Sequence, residues 1–230
     1  MDRVSVERYR LAIFGRLVMG VSHEVDNHLS VVLGFAELIR MPGGSGGKME
    51  EHAGKIYAAG DRIASIVKQF SHHVRPHPPA EETFFLSDLL SELVVFARYD
   101  LCRGNVSLRI PETLPNAKIR GDARDFGLAL LALLLNGAEA MSDRGGGELS
   151  VTAAAGPEGL EIAVRDHGPG IPADLLPRLF EEGFTTKPPD IHTGMGLPVA
   201  RHVVERLGGT IRVETRSDGG CASVIRLPVF

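Results

Sequence analysis

The chain has 230 residues, 43% of them hydrophobic and 23% charged, which suits one medium or two small domains with real cores and excludes disorder and fibrous repeats. Its 25 basic and 29 acidic residues leave a net charge of -4, so the electrostatic footprint of a protein that binds nucleic acid or an anionic membrane is missing. Cys102 and Cys221 form no CxxC and no disulfide framework, no run approaches the roughly 20 apolar residues of a membrane span, and MDRVSVERYR lacks a signal-peptide core. The expectation is a cytoplasmic protein without membrane insertion; if it senses anything, its input must arrive through a separate sensory partner.

From about Ser5 to Met41, Leu11, Phe14, Val18, Val21, Val25, Leu29, Val32, Ala36 and Ile39 recur at helical spacing, predicting one long amphipathic helix. PGGSGG at 42–47 cannot continue it, because Pro lacks an amide donor and Gly carries a large entropy cost. A second helix is predicted from about Lys48, with Ile56, Ile63, Ile66, Val67 and Phe70 on one stripe, ending before VRPHPP. Such a hairpin cannot bury its own apolar seam, so pairing with a second copy into a four-helix bundle, a homodimer, is expected.

PHPPAEE, starting at Pro76, reads as an extended linker and divides the chain into domains 1–78 and 79–230. His72, His73 and His77 match no standard zinc spacing and read as part of that solvated linker. Beyond it a short strand is predicted at TFFLS, a helix from Asp88 to about Leu101, a strand at VSLRI and a helix from about Ala123 to Met141. Strands at ELSVTAA and LEIAVRD, a helix through PVARHVVERL and strands at TIRVET and ASVIRLPV follow. This alternation predicts an α/β sandwich with helices on one face of a sheet.

His23 lies nearly opposite the apolar stripe of the first helix, with Glu24 beside it and Asn27 one turn on. Alone, this is an ordinary solvated helix surface. DHGPG at 166–170 follows the strand LEIAVR, where glycines give a tight turn and let backbone approach a ligand. HTGMGL at 192–197 opens a helix and offers free amides and a positive dipole end to phosphates. FEEGFTTK at 180–187 lies between them, and Asn136 sits upstream in LALLALLLNGAEAM.

Taken in order, these segments resemble the two-component sensor histidine kinases, from roughly residue 10 to the C-terminus. GRLVMGVSHEVDNHLSVVLGFAELI is similar to the family's H box, LLLNGAEAM to its N box and VRDHGPGIP to its first glycine box. FEEGFTTK is similar to the F box, and HTGMGLPVARHVVERLGGTIRVET to the second glycine box with its trailing helix and strand. The resemblance implies a helical hairpin, a four-helix bundle as the dimer, followed by an α/β sandwich of the GHKL ATPase (Bergerat) type.

It implies that His23 accepts a phosphoryl group from ATP and passes it to an aspartate on a response-regulator receiver domain. Glu24 would orient the imidazole and take its proton. Asn27 completes the E-x-x-N pattern of members that also dephosphorylate their regulator. Asp166 would accept from the adenine amino group, with Gly168, Gly170, Thr186, Lys187, Gly194, Gly196 and Leu197 around the nucleotide. Asn136 would hold Mg2+. Three positions depart from the family pattern: His28 stands where a helix-kinking Pro is usual, Ala132 where the N box has a further Asn, and His192 where the second glycine box opens with Gly. The last two favour an alternative, a histidine phosphotransfer or scaffold protein with a weakened ATP domain.

Overall fold

The computed structural model of the chain describes residues 1–41, 48–187, 193–217 and 219–228. The PGGSGG connection and His192 lie outside the described residues. Helix α1 spans Arg3–Arg40 and α2 spans Met49–Val74, packed together as the expected hairpin. Then come β1 (Glu82–Phe85), α3 (Leu86–Arg103), β2 (Val106–Arg109), β3 (Lys118–Gly121), α4 (Ala123–Ser142), β4 (Gly147–Gly156) and β5 (Gly159–Arg165). After a short 3-10 turn at Leu176–Arg178, α5 (Gly196–Arg206), β6 (Thr210–Thr215) and β7 (Cys221–Leu227) complete the order.

Five strands form one sheet in the order β2-β4-β5-β7-β6, parallel only between β2 and β4. Period-two alternation sends Leu160, Ile162 and Val164 of β5 into the main core, while Ala163 joins a small cluster with Ala222 and Val224. Helices α3, α4 and α5, the N-terminal half of α1 and residues of β4 and β7 add to the main core. α4 is apolar on almost every side and is buried accordingly. By length and composition α4 could cross a membrane, yet 78% of its most apolar stretch is covered by the rest of the fold. β3 was not foreseen; it pairs antiparallel with β1 as a separate ribbon and buries only Ile119 fully.

The first helix divides its apolar residues between two duties. Its N-terminal half buries Val6, Arg10, Ile13, Phe14, Leu17 and Gly20 in the main structure. Leu11, Val18 and Leu29, expected in the hairpin seam, stay 53%, 49% and 42% exposed. Phe14 of α1, Phe70 of α2 and Phe96 of α3 meet edge-to-face with ring centroids 5.6 to 5.9 Å apart, joining the hairpin to the sheet domain. Each such pair contributes about 0.5–1.5 kcal/mol beyond area burial.

The expectation of a solvated linker is corrected. His73 is 1% exposed, stacked on Phe14 at 5.8 Å, with Nε2 3.1 Å from Glu92. The His77 side chain is 3% exposed, and its Nε2 lies 3.0 and 2.9 Å from the two oxygens of Asp122. Asp122 is the N-cap of α4, accepting from the Asp125 amide, and it also accepts from the Ala80 amide. A carboxylate partner and an aromatic face let these imidazoles leave water, so the Pro-rich segment is stapled down.

Beside this cap lies a buried ion-pair knot. Asp125 receives Arg3 and Arg10 from α1 and Arg206 from α5, the last at 3.3 Å. Arg10 is wholly buried, its Nη1 reaching the carbonyls of His73 and Arg124 and its Nε donating to Glu7. His77, Asp122 and Asp125 bring potential metal ligands within 4.8 Å of one another. The guanidiniums on Asp125 already occupy its oxygens, which makes this a junction between elements and not a cation site.

Asp125→Ala would leave the buried Arg10 with only Glu7, 3.2 Å from its Nε, as a charged partner, so it is expected to cost about 3 kcal/mol in urea unfolding. A loss below about 1 kcal/mol, the range of exposed pairs, would show that the knot holds nothing together. Burial alone would raise the Asp122 carboxyl, but the amides of Ala80 and Asp125 and the His77 imidazole outweigh it and hold it below the ordinary range. The stability this supplies is present above the unfolded value of about 4 and is lost as pH falls through the lowered folded value. Asp122→Asn should flatten that part of the acid limb, measured by urea unfolding from about pH 6 to about pH 2.

Candidate functional site

A cavity of about 490 Å³ opens between α4, the loop after β5, the segment before residue 188 and the start of α5. Asn136, Asp166, Gly170, Thr186, Lys187, Gly194, Gly196 and Leu197 all line it. Gly168 sits beneath it, donating its amide to Asp166 Oδ1 at 2.9 Å. The sequence motifs, spread over 60 positions, therefore converge on one place.

Asp166 follows β5 and is only 9% exposed. Its Oδ1 accepts from the amides of Gly168 and Cys221, at 2.9 and 3.1 Å, which fixes the carboxylate plane. Its Oδ2 has no hydrogen-bond partner among the described residues, so one acceptor remains at the cavity floor. Cys221 also lines the cavity, where burial and then the Asp166 carboxylate push its thiol up to about 11, keeping it protonated and inert.

At the other end α5 begins at Gly196, presenting backbone amides that have no partner one turn back. The loop before it passes tightly under the 183–184 turn. Gly194 has φ +64, and a Cβ there would lie 2.4 Å from the Gly183 carbonyl carbon, so no other residue fits. A Cβ added at Gly196 would meet Asn136 Nδ2 at 3.4 Å and Tyr9 Oη at 3.0 Å. Asn136, half-buried on α4, thus faces the start of α5.

Tyr9 belongs to α1, and with Ala12, Ile13 and Arg16 it makes one wall of the cavity. The sequence reading missed this wall and missed Glu139, although Tyr9, Arg16 and His23 recur every seven residues. That spacing puts all three on one helix face. Burial and then the Glu139 carboxylate push the Tyr9 phenol above its ordinary value, leaving it neutral. Glu139 is bonded by Arg16 and by Lys187, and Arg16 Nη2 also donates to Asp100 at 2.7 Å. Burial opposes ionisation of Glu139, but Lys187 and Arg16 outweigh it and hold its carboxyl below the usual range.

His23, Glu24 and Asn27 do not line the cavity. His23 is exposed, its ring edge-on to Tyr99 of α3 at 5.9 Å. Glu24 Oε1 accepts from Arg98 of α3 at 3.1 Å and lies 3.8 Å from His28 Nε2, while Asn27 is exposed. Arg98 and Tyr99 are further residues that the sequence motifs did not indicate. His23 stands about 10 Å beyond Arg16 along the axis of α1, on the same face.

Residues 121–230 match the family described as histidine kinase-, DNA gyrase B-, and HSP90-like ATPase. The sensor histidine kinase ZraS of Escherichia coli (strain K12) is 33% identical over 222 residues, which are 96% of this chain and 46% of that protein. The chain thus spans about half the length of the curated relatives it matches. The solved catalytic domain of histidine kinase ThkA is 25% identical with a TM-score of 0.57, covering 65% of this chain and 95% of the other. ThkA solved with the response regulator protein TrrA shares the fold at 22% identity and a TM-score of 0.55, over 97% of this chain and 64% of that one. Residues 121–230 therefore belong to the histidine kinase-, DNA gyrase B-, and HSP90-like ATPases, in a GHKL sandwich, and over 96% of its length the chain is similar to the core of two-component sensor histidine kinases.

Proposed function

We propose that the chain transfers the γ-phosphoryl group of ATP to His23 and then to an aspartate of a receiver domain on a response regulator. The observation that carries this reading is Asp166, whose second carboxylate oxygen, unpaired among the described residues, belongs to a cavity that ends at the N-terminus of α5. That oxygen suits an exocyclic amino group, and the start of α5 suits phosphates. Adenine would lie against Asp166 above Gly168 and Gly170, and the phosphates toward Gly194, Gly196, Leu197, Thr186 and Lys187. Asn136 would help hold Mg2+, an ion that takes oxygen donors and neutralises phosphate charge.

Glu24 supports the acceptor chemistry. One ring nitrogen of neutral His23 attacks the γ-phosphorus as the bond to the ADP oxygen breaks, and the proton on the ring passes to the adjacent carboxylate. In the arrangement described above Glu24 is held by Arg98 and His23 lies outside the cavity, which fits a resting state preceding transfer. Asn27, in the same exposed row, is proposed to position water in a dephosphorylation of the regulator.

On this reading, residues 1–78 form the acceptor and dimerisation unit and 79–230 the ATP-binding unit. The exposed Leu29, Leu33, Leu38, Met49 and Val67 on the hairpin support its pairing with a second copy. The solved complex of ThkA with TrrA supports a receiver domain as the partner. The proposed location is the cytoplasm, with the stimulus delivered by a sensory partner.

Purified chain given γ-labelled ATP and Mg2+ should take up acid-labile label, and His23→Gln and Asp166→Asn should each abolish it. An unlabelled parent that accepts phosphoryl at His23 from a phosphorylated regulator would identify a phosphotransfer protein instead. A third variant tests the support of Asp166. Gly220 has φ +78, and a Cβ there would lie 2.1 Å from the Asp166 carbonyl oxygen. Gly220→Ala should weaken binding of a fluorescent ATP analogue by about tenfold or more, in line with the strain of a forced backbone. Unchanged affinity would show that the Asp166 loop needs no such packing.

A further inference from the structure

Glu139 lies less than one helical turn beyond Asn136 on α4, in the wall of the same cavity. Its side chain is 16% exposed, and it binds cations from two different elements. Lys187 reaches it from the end of FEEGFTTK and Arg16 from the acceptor helix α1. The groups best suited to phosphate oxygens are thus engaged by a carboxylate of the protein itself.

Carboxylate and phosphate present the same acceptor geometry to an Arg fork, and Lys serves either as a point charge. They differ in charge, one on the carboxylate against several along a triphosphate tail. Asp100 holds Arg16 through its other nitrogen at 2.7 Å, so the guanidinium keeps its position when its Glu139 partner is exchanged. Arg16 is also the residue one heptad before His23, on the same face of α1.

Resting on the ATP reading above, we propose that Glu139 stands in for the terminal phosphate of ATP. Its carboxylate holds Lys187 and Arg16 until a nucleoside triphosphate draws both away, making Arg16 of the acceptor helix a phosphate ligand that distinguishes ATP from ADP. The device gives the hairpin a direct readout of the donor phosphate. ADP, lacking that phosphate, leaves the three side chains as they are and leaves α1 tied to α4 through Arg16.

Calorimetric titration of the whole chain with Mg2+ and either ADP or a non-hydrolysable ATP analogue tests this. Glu139→Gln removes the competitor and should tighten the ATP analogue by about tenfold while moving ADP by less than about twofold, the scale of one charge-assisted hydrogen bond. Arg16→Gln should weaken the ATP analogue by about tenfold and leave ADP unchanged. Misfolding cannot produce these opposite signs, and thermal melts of both variants provide the check on folding. Glu139→Gln weakening both nucleotides, or Arg16→Gln leaving their ratio unaltered, would overturn the stand-in role and leave the ATP site standing. Asp166→Asn should weaken both nucleotides alike. A parent chain that binds neither overturns the site and the stand-in together.

Discussion

A single carboxylate, Asp125 at the first turn of α4, gathers guanidiniums from α1 and α5, and so ties together the three helices that border the cavity. A buried ion pair of this kind is poor evidence of extra stability, because desolvation offsets much of its attraction. Its contribution is geometric. A wholly buried Arg10 is satisfied at this register of α1, with its donors on Glu7, on Asp125 and on the carbonyls of His73 and Arg124. That register brings Tyr9 and Arg16 to the cavity wall and leaves His23 beside Tyr99.

The same register explains why α1 does not use its apolar residues as a simple hairpin would. Ile13, Phe14 and Leu17 go to the core shared with α3 and α4, leaving other apolar side chains uncovered. The hairpin and the nucleotide fold are therefore packed as one body in this arrangement. On the proposed reading, nucleotide chemistry on one side and acceptor chemistry on the other would meet along α1, whose successive turns line the cavity first and carry His23 afterwards.

Much of this was legible in the sequence wherever a period or a turn residue carried the information. Helices α1, α2 and α4, the strands of β4 and β5 and the glycine loops after them were readable because burial there repeats at 3.6 or 2 residues. The convergence of Asp166, Asn136 and Gly194 was readable through the order of motifs. β3 was not, since a four-residue strand with one fully buried side chain leaves no period to detect. Burial of Arg10, His73 and His77 was hidden for another reason: charged and imidazole side chains leave water when a partner distant in sequence meets them, here Asp125, Glu92 and Asp122. Glu139 and Arg16 were invisible likewise, their role arising from a contact across 123 positions.

Helices α1 and α4 are fastened to each other at two points, by Arg10 on Asp125 and by Arg16 on Glu139. The fourteen residues from Asp125 to Glu139 separate these fastenings by roughly 20 Å along α4. Two pins fix the angle between two rods, whereas one pin makes a pivot. With the Glu139 pin withdrawn, α1 stays pinned to α4 at the Asp125 knot and to α3 through Arg16 on Asp100, so the exchange shifts load from one rod to another without setting the helix adrift.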